Sequence, residues 1–187
     1  MTKKVPPHVK LPVIVPPRLP DPTPEIIAEL TYEINPLNPK QALFKFNVEY
    51  RHHKPIVKPP IPLSFMIFQD CKVTLKLSES IDWRWSQDYF EVTTKANYGT
   101  LYGNLTRVDD HVIHFIATFN SSSEHPGEQK INLNIDYLQA KKRWLPITID
   151  PAIGNPRPPS YVPLDNDGQV LESQSFTTIL SGTIEES

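Results

Sequence analysis

Cysteine occurs once among the 187 residues, as Cys71, so no disulfide can form within the chain and the fold rests on its hydrophobic core. Only six glycines are present. They leave little material for glycine-rich phosphate loops, and neither a Gly-x-Ser-x-Gly elbow nor a phosphate-loop pattern occurs. No apolar run is long enough to span a membrane. The first residues carry Lys3 and Lys4, but the stretch from Val9 to Val15 is broken by Lys10 and Pro12, so no signal peptide is expected. Together with the single cysteine, this predicts a cytoplasmic protein. The formal net charge is -2 and the basic residues are scattered. Neither a nucleic acid nor a membrane is an expected partner.

Proline, by contrast, is abundant: 21 residues, roughly twice the usual share of about 5%. Eight lie within 1–24, five within 151–163 and none from Leu63 to His125. Proline supplies no backbone donor and is excluded from central strands, so the most regular sheet is expected in that gap. Residues 1–24 read as an extended arm, because Pro6, Pro7, Pro16, Pro17, Pro20, Pro22 and Pro24 forbid a helix. Within it Val9, Leu11, Val13 and Val15 alternate, as an edge strand would. Pro24 to Leu30 suits a short helical turn and a strand start equally.

Further along, the hydrophobic period is two. Phe44, Phe46, Val48 and Tyr50 alternate with Lys45, Asn47 and Glu49; Val73, Leu75 and Leu77 with Lys72, Thr74 and Lys76; Ile131, Leu133, Ile135 and Tyr137 with Asn132, Asn134 and Asp136. Each predicts a strand with one buried and one solvated face. Val112 to Phe119 is largely apolar on both faces and suits a central strand. Val108 to His111 reads as a tight turn. Short strands, turn signals and no long amphipathic helix predict an all-β antiparallel sandwich, with a closed barrel as the alternative. The expected organisation is an arm over 1–24, the sandwich over 25–163 and a C-terminal extension over 164–187 with a final strand near Phe176 to Ile179.

No catalytic constellation is legible. His52 and His53 are adjacent, and His111 and His114 three apart, so each pair points to opposite faces of a strand. No metal site is expected, and no cofactor. Cys71 follows Asp70, the wrong charge for a reactive thiolate. Trp83 and Trp85 share one face of a strand and Tyr89 lies close by, so these three rings are candidates for stacking on a sugar or another small ligand, with Asp82, Arg84 and Gln87 nearby to bond hydroxyls. The competing reading places both tryptophans between two sheets. At about 3.1 Å per residue the arm reaches roughly 70 Å, beyond a body roughly 40 Å across. Burial of Val9, Leu11, Val13 and Val15 on a neighbour would favour assembly.

The passage Leu145-Pro146-Ile147-Thr148-Ile149-Asp150-Pro151-Ala152-Ile153-Gly154-Asn155-Pro156 resembles the end of the small β-sandwich proteins of the DP-EP family, and more loosely the AidA/PixA inclusion-body proteins. The residues that carry it are Asp150, Pro151, Ile153, Asn155 and Pro156. The resemblance implies an immunoglobulin-like sandwich and brings no reaction with it. By physics alone the segment is a rigid, proline-locked exit from a strand. The sequence thus predicts a non-enzymatic structural or interaction protein that forms a homo-oligomer or docks a partner protein through its arm; the alternative is a binding module using the Trp83/Trp85 face.

Overall fold

The computed structural model describes residues 8–53, 63–119, 127–139, 142–155 and 176–183. Among them lie thirteen strands and one 3-10 turn, Ala96–Tyr98. The strands are β1 (His8–Lys10), β2 (Glu25–Asn35), β3 (Asn38–Arg51), β4 (Ser64–Met66), β5 (Cys71–Leu77), β6 (Trp83–Trp85), β7 (Val92–Lys95), β8 (Tyr102–Arg107), β9 (Val112–Ala117), β10 (Gly127–Leu138), β11 (Trp144–Ile149), β12 (Ala152–Asn155) and β13 (Phe176–Thr183). They form two packed sheets, so the chain is the all-β sandwich that the period-two pattern predicts. No helix among the described residues is long and apolar enough to cross a membrane.

The six-stranded sheet runs β13-β3-β2-β5-β9-β8. Glu25 to Leu30 belongs to an eleven-residue strand, since Ile26, Ala28 and Leu30 are all buried and the alternation continues on the pattern of β3. β2 runs parallel to β5, pairing Ile26 with Val73 and Leu30 with Leu77, so the sheets are not purely antiparallel. β5 pairs antiparallel with β9 and β9 with β8, and their turn is closed by Asp109, whose Oδ1 accepts from His111 N and Val112 N at 2.7 Å each.

The second sheet is organised around β10. One edge of this strand pairs with β7 and then β6; the other pairs with β12 and then β11. Between β11 and β12 the chain kinks at Asp150-Pro151 but stays on β10, with Ile131 N donating to Pro151 O at 3.0 Å. Ile153 is fully buried. The DP segment therefore kinks at Asp150-Pro151 and returns to the sheet at Ala152; Asn155 ends β12 opposite Gly127, and Pro156 lies outside the described residues.

Between the sheets, Phe46, Phe65, Leu75, Trp85, Ile113, Phe115 and Leu133 are almost wholly buried, each side chain contributing about 1.5–3 kcal/mol on removal from water. Tyr32 of β2 joins the layers: its hydroxyl donates to Tyr137 Oη at 3.1 Å, and its ring meets Trp83 edge-on at 5.7 Å. Cys71 is fully buried, and burial, with Asp70 beside it, pushes its thiol above the usual range.

The arm lies against its own domain. β1 pairs with β7, Val9 opposite Thr94. Leu11 and Ile14 are buried, whereas Val13 and Val15 are 94% and 93% exposed. The expected alternation of Val9, Leu11, Val13 and Val15 fails because ladder pairing stops at Lys10 and Pro12 redirects the chain. Past that point the strap is held by β8: Asn104 N donates to Pro12 O at 2.9 Å, and the Asn104 carboxamide accepts from Ile14 N and donates to Ile14 O, both at 2.9 Å.

Candidate functional site

Six residues, 86–91, leave the sheet between β6 and β7. Both ends are pinned to the middle of β10: Ser86 N donates to Asn134 O at 3.1 Å, and Asn134 N donates to Glu91 O at 2.9 Å. On the opposite edge of β10 runs β11. Between the loop and β11 opens a cleft of about 260 Å³, floored by Asn134 and Ile135 and walled by Ser86, Tyr89, Pro146 and Thr148. Pockets for small molecules run from about 300 Å³ upward, so this cleft lies at the small end of that range.

Its polar groups are pre-positioned. Thr148 Oγ1 donates to Asn134 Oδ1 at 2.9 Å, and Asn134 Nδ2 donates to Phe90 O at 2.6 Å. Each of these side chains keeps spare hydrogen-bonding capacity, because a carboxamide offers two N–H groups and two lone pairs and a hydroxyl accepts as well as donates. Ser86 Oγ accepts from Tyr89 N at 3.1 Å, which fixes the loop. The Tyr89 ring is 63% exposed and offers a stacking face beside these groups.

Arg84 and Asp136, register partners on β6 and β10, adjoin the cleft without lining it: Asp136 also pairs with Pro146 of its wall. Asp136 is buried, and its Oδ2 accepts from Arg84 Nε at 3.3 Å and from Gln87 N at 3.2 Å. The Arg84 guanidinium lies 4.0 Å from the centroid of the Trp144 ring. Behind the loop, Arg107 of β8 has a different role. It donates to Ser86 O (3.0 Å), Trp85 O (3.1 Å), Asp109 O (3.2 Å) and Asp110 Oδ1 (2.8 Å), with Glu91 Oε1 at 3.5 Å. Its donors are spent on holding the loop to the β8–β9 turn.

Of the three candidate stacking rings only Tyr89 lies in the cleft. Trp83 and Trp85 face inward and are 2% and 0% exposed, so neither presents a face to a ligand. The Trp83 indole donates to Ser78 O at 2.8 Å; the buried Trp85 indole N–H finds no hydrogen-bond partner among the described residues. His53 is buried against Tyr50 and Phe68, away from His111 and His114. Among the described residues no three His, Cys, Asp or Glu side chains converge as a metal site requires.

The family model described as "predicted novel nucleotide synthetase" matches residues 19–159, about three quarters of the chain. The chain belongs to this family. No curated protein and no solved structure matches it. Membership of the nucleotide-synthetase family overturns three expectations. The DP segment over 145–156 lies wholly within the matched residues, so its likeness to DP-EP and AidA/PixA proteins is local and does not set the family. The reading of a non-enzymatic protein assembling through Val9, Leu11, Val13 and Val15 falls too, since a synthetase family points to an enzyme and Leu11 is already buried within its own domain. So does the sugar-binding alternative, whose two tryptophans are core. Sequence reasoning missed Asn134, Thr148 and Trp144; Arg84 it named as a group near the tryptophans, without its partners Asp136 and Trp144. The signal for Asn134 was its place on the polar face of the 131–137 alternation; nothing local marks the strands that join it there.

Proposed function

We propose that this chain is an enzyme of nucleotide synthesis whose nucleoside-binding site is the cleft between loop 86–91 and β11. The observation that carries the reading is family membership over residues 19–159, a span that contains every residue of the cleft. The chemistry of the cleft supports it. A base has a flat face and a polar edge; Tyr89 supplies a ring for the first, worth about 1–3 kcal/mol where a base stacks fully, and Asn134 and Thr148 supply hydrogen bonds for the second.

The test is to incubate the full chain with magnesium and each ribonucleoside triphosphate, singly and in pairs, and to resolve products by ion-exchange chromatography and mass spectrometry. A new nucleotide is expected, its rate falling more than about tenfold in Asn134→Ala and Thr148→Val, as loss of a hydrogen bond to a bound group predicts. Turnover untouched by both substitutions moves the site elsewhere. No product and no nucleotide binding under any combination overturns the reading.

A further inference from the structure

We propose that Arg84 is a preformed anion fork, and that in the nucleotide reading of the cleft it holds the phosphates. Arg84 sits between two tryptophans that point into the core, so alternation turns it to the outer face, where the cleft lies. Three features fix its guanidinium. The Nε edge is taken by Asp136. Its Cζ stands over the Trp144 ring, 4.0 Å from the centroid. The side chain is only 25% exposed. The Nη edge is different: among the described residues neither terminal nitrogen of Arg84 donates a hydrogen bond, whereas both terminal nitrogens of Arg107 do. A guanidinium held in place with its paired terminal N–H groups unclaimed matches a phosphate or carboxylate edge bidentately, with little ordering cost left.

Asp136 does not cancel this. It is buried, receives a second hydrogen bond from Gln87 N and occupies the other edge of the group. A buried carboxylate without its cation would be costly, so Asp136 holds Arg84 by one edge while leaving the fork free. The spacing also fits. Asp136, the register partner of Arg84, stands two residues from Asn134 along β10, about 7 Å, comparable with the span from a nucleobase to its 5′ phosphate.

The inference rests on the proposed function for the identity of the anion, and the experiment separates the two. Isothermal titration of the full chain with inorganic tripolyphosphate, ATP and adenosine is compared with Arg84→Lys and with the double variant Arg84→Gln/Asp136→Asn, which avoids a buried unpaired charge. Tripolyphosphate and ATP are expected to bind more than about tenfold more weakly to both variants, with adenosine unchanged. Full ATP binding by both variants overturns the fork and leaves the nucleotide reading standing. Tripolyphosphate binding that the variants lose, in a chain that binds no nucleotide and makes none, keeps the fork and overturns the nucleotide reading. A wild-type chain that binds no polyphosphate overturns the fork.

Discussion

At Gly103 a methyl group would stand 2.7 Å from Ile14 Cγ2, 2.7 Å from Pro12 O and 2.8 Å from Ile14 Cγ1. One of these atoms is backbone, so relief requires the strap to lift. Gly103→Ala is expected to cost about 1–3 kcal/mol, lowering Tm by a few degrees per kcal/mol in a chain of this size. Thermal unfolding followed by circular dichroism checks it; an unchanged Tm would mean the strap moves freely. His53 gives a pH-dependent counterpart. Burial lowers its pKa from the ordinary 6.5 to about 4, and its Nε2 accepts from Phe68 N at 3.4 Å, so the native ring is neutral. Between these values the unfolded chain binds more protons than the native one, so stability rises with pH. This contribution is complete above about pH 6.5 and is lost as pH falls toward 4, an upper bound of about 3 kcal/mol. Glu25 adds a change of the same sign: burial opposes its ionisation, but the Thr74 hydrogen bond and Lys72 outweigh that and lower its pKa. The readout is therefore the difference in urea midpoint between wild type and His53→Phe across that window. The variant should show the flatter profile, whatever its absolute stability.

The strap shows what an element gains from one well-placed side chain. Asn104 adopts φ 57°, at a register irregularity between Gly103 and Thr106. An asparagine tolerates that left-handed conformation, and there its carboxamide meets both backbone groups of Ile14. Asn104→Gly keeps the backbone permissive and removes the clamp, so it isolates the side chain's contribution, about 1–2 kcal/mol for two hydrogen bonds. Hydrogen exchange should show the Ile14 amide losing protection while Leu75 and Ile113 keep theirs; equal loss at all three would mean global destabilisation instead. None of this is legible in sequence. Val9 to Val15 reads as an alternating strand, and only the partner across 90 residues shows Leu11 and Ile14 as the buried pair. The strands β3, β5 and β10 were legible because one face of each is apolar at every second residue. β2 was ambiguous, since Glu25-Ile26-Ile27-Ala28-Glu29-Leu30 lacks strict alternation: Ile27 faces outward yet is buried. The site was half legible for the same reason. Tyr89 announced itself as an aromatic ring beside a strand end, whereas Asn134, Thr148, Arg84 and Trp144 come together only through the register of β6, β10 and β11.

In the whole molecule these devices converge on β8. This strand is an edge of the six-stranded sheet, and it is tied to the other sheet twice: through the strap, whose β1 lies on β7, and through Arg107, which holds loop 86–91. The wall of the cleft therefore hangs from the opposite layer of the sandwich, and under the proposed function nucleotide affinity should respond to a residue that lines none of the cleft. Arg107→Gln is expected to destabilise the chain by about 2–3 kcal/mol, as loss of several partly buried charge-assisted bonds does. It should also raise KM for the nucleotide more than it lowers kcat, because the wall that orients the substrate loosens. Arg107→Lys separates charge from shape. An ammonium keeps the attraction to Glu91 and Asp110, but it does not reproduce the planar fork that reaches Ser86 O, Trp85 O and Asp109 O together. Lysine should therefore recover part of the stability and little of the affinity. If lysine restores both in full, the positive charge suffices and the cleft wall does not depend on the geometry of the clasp.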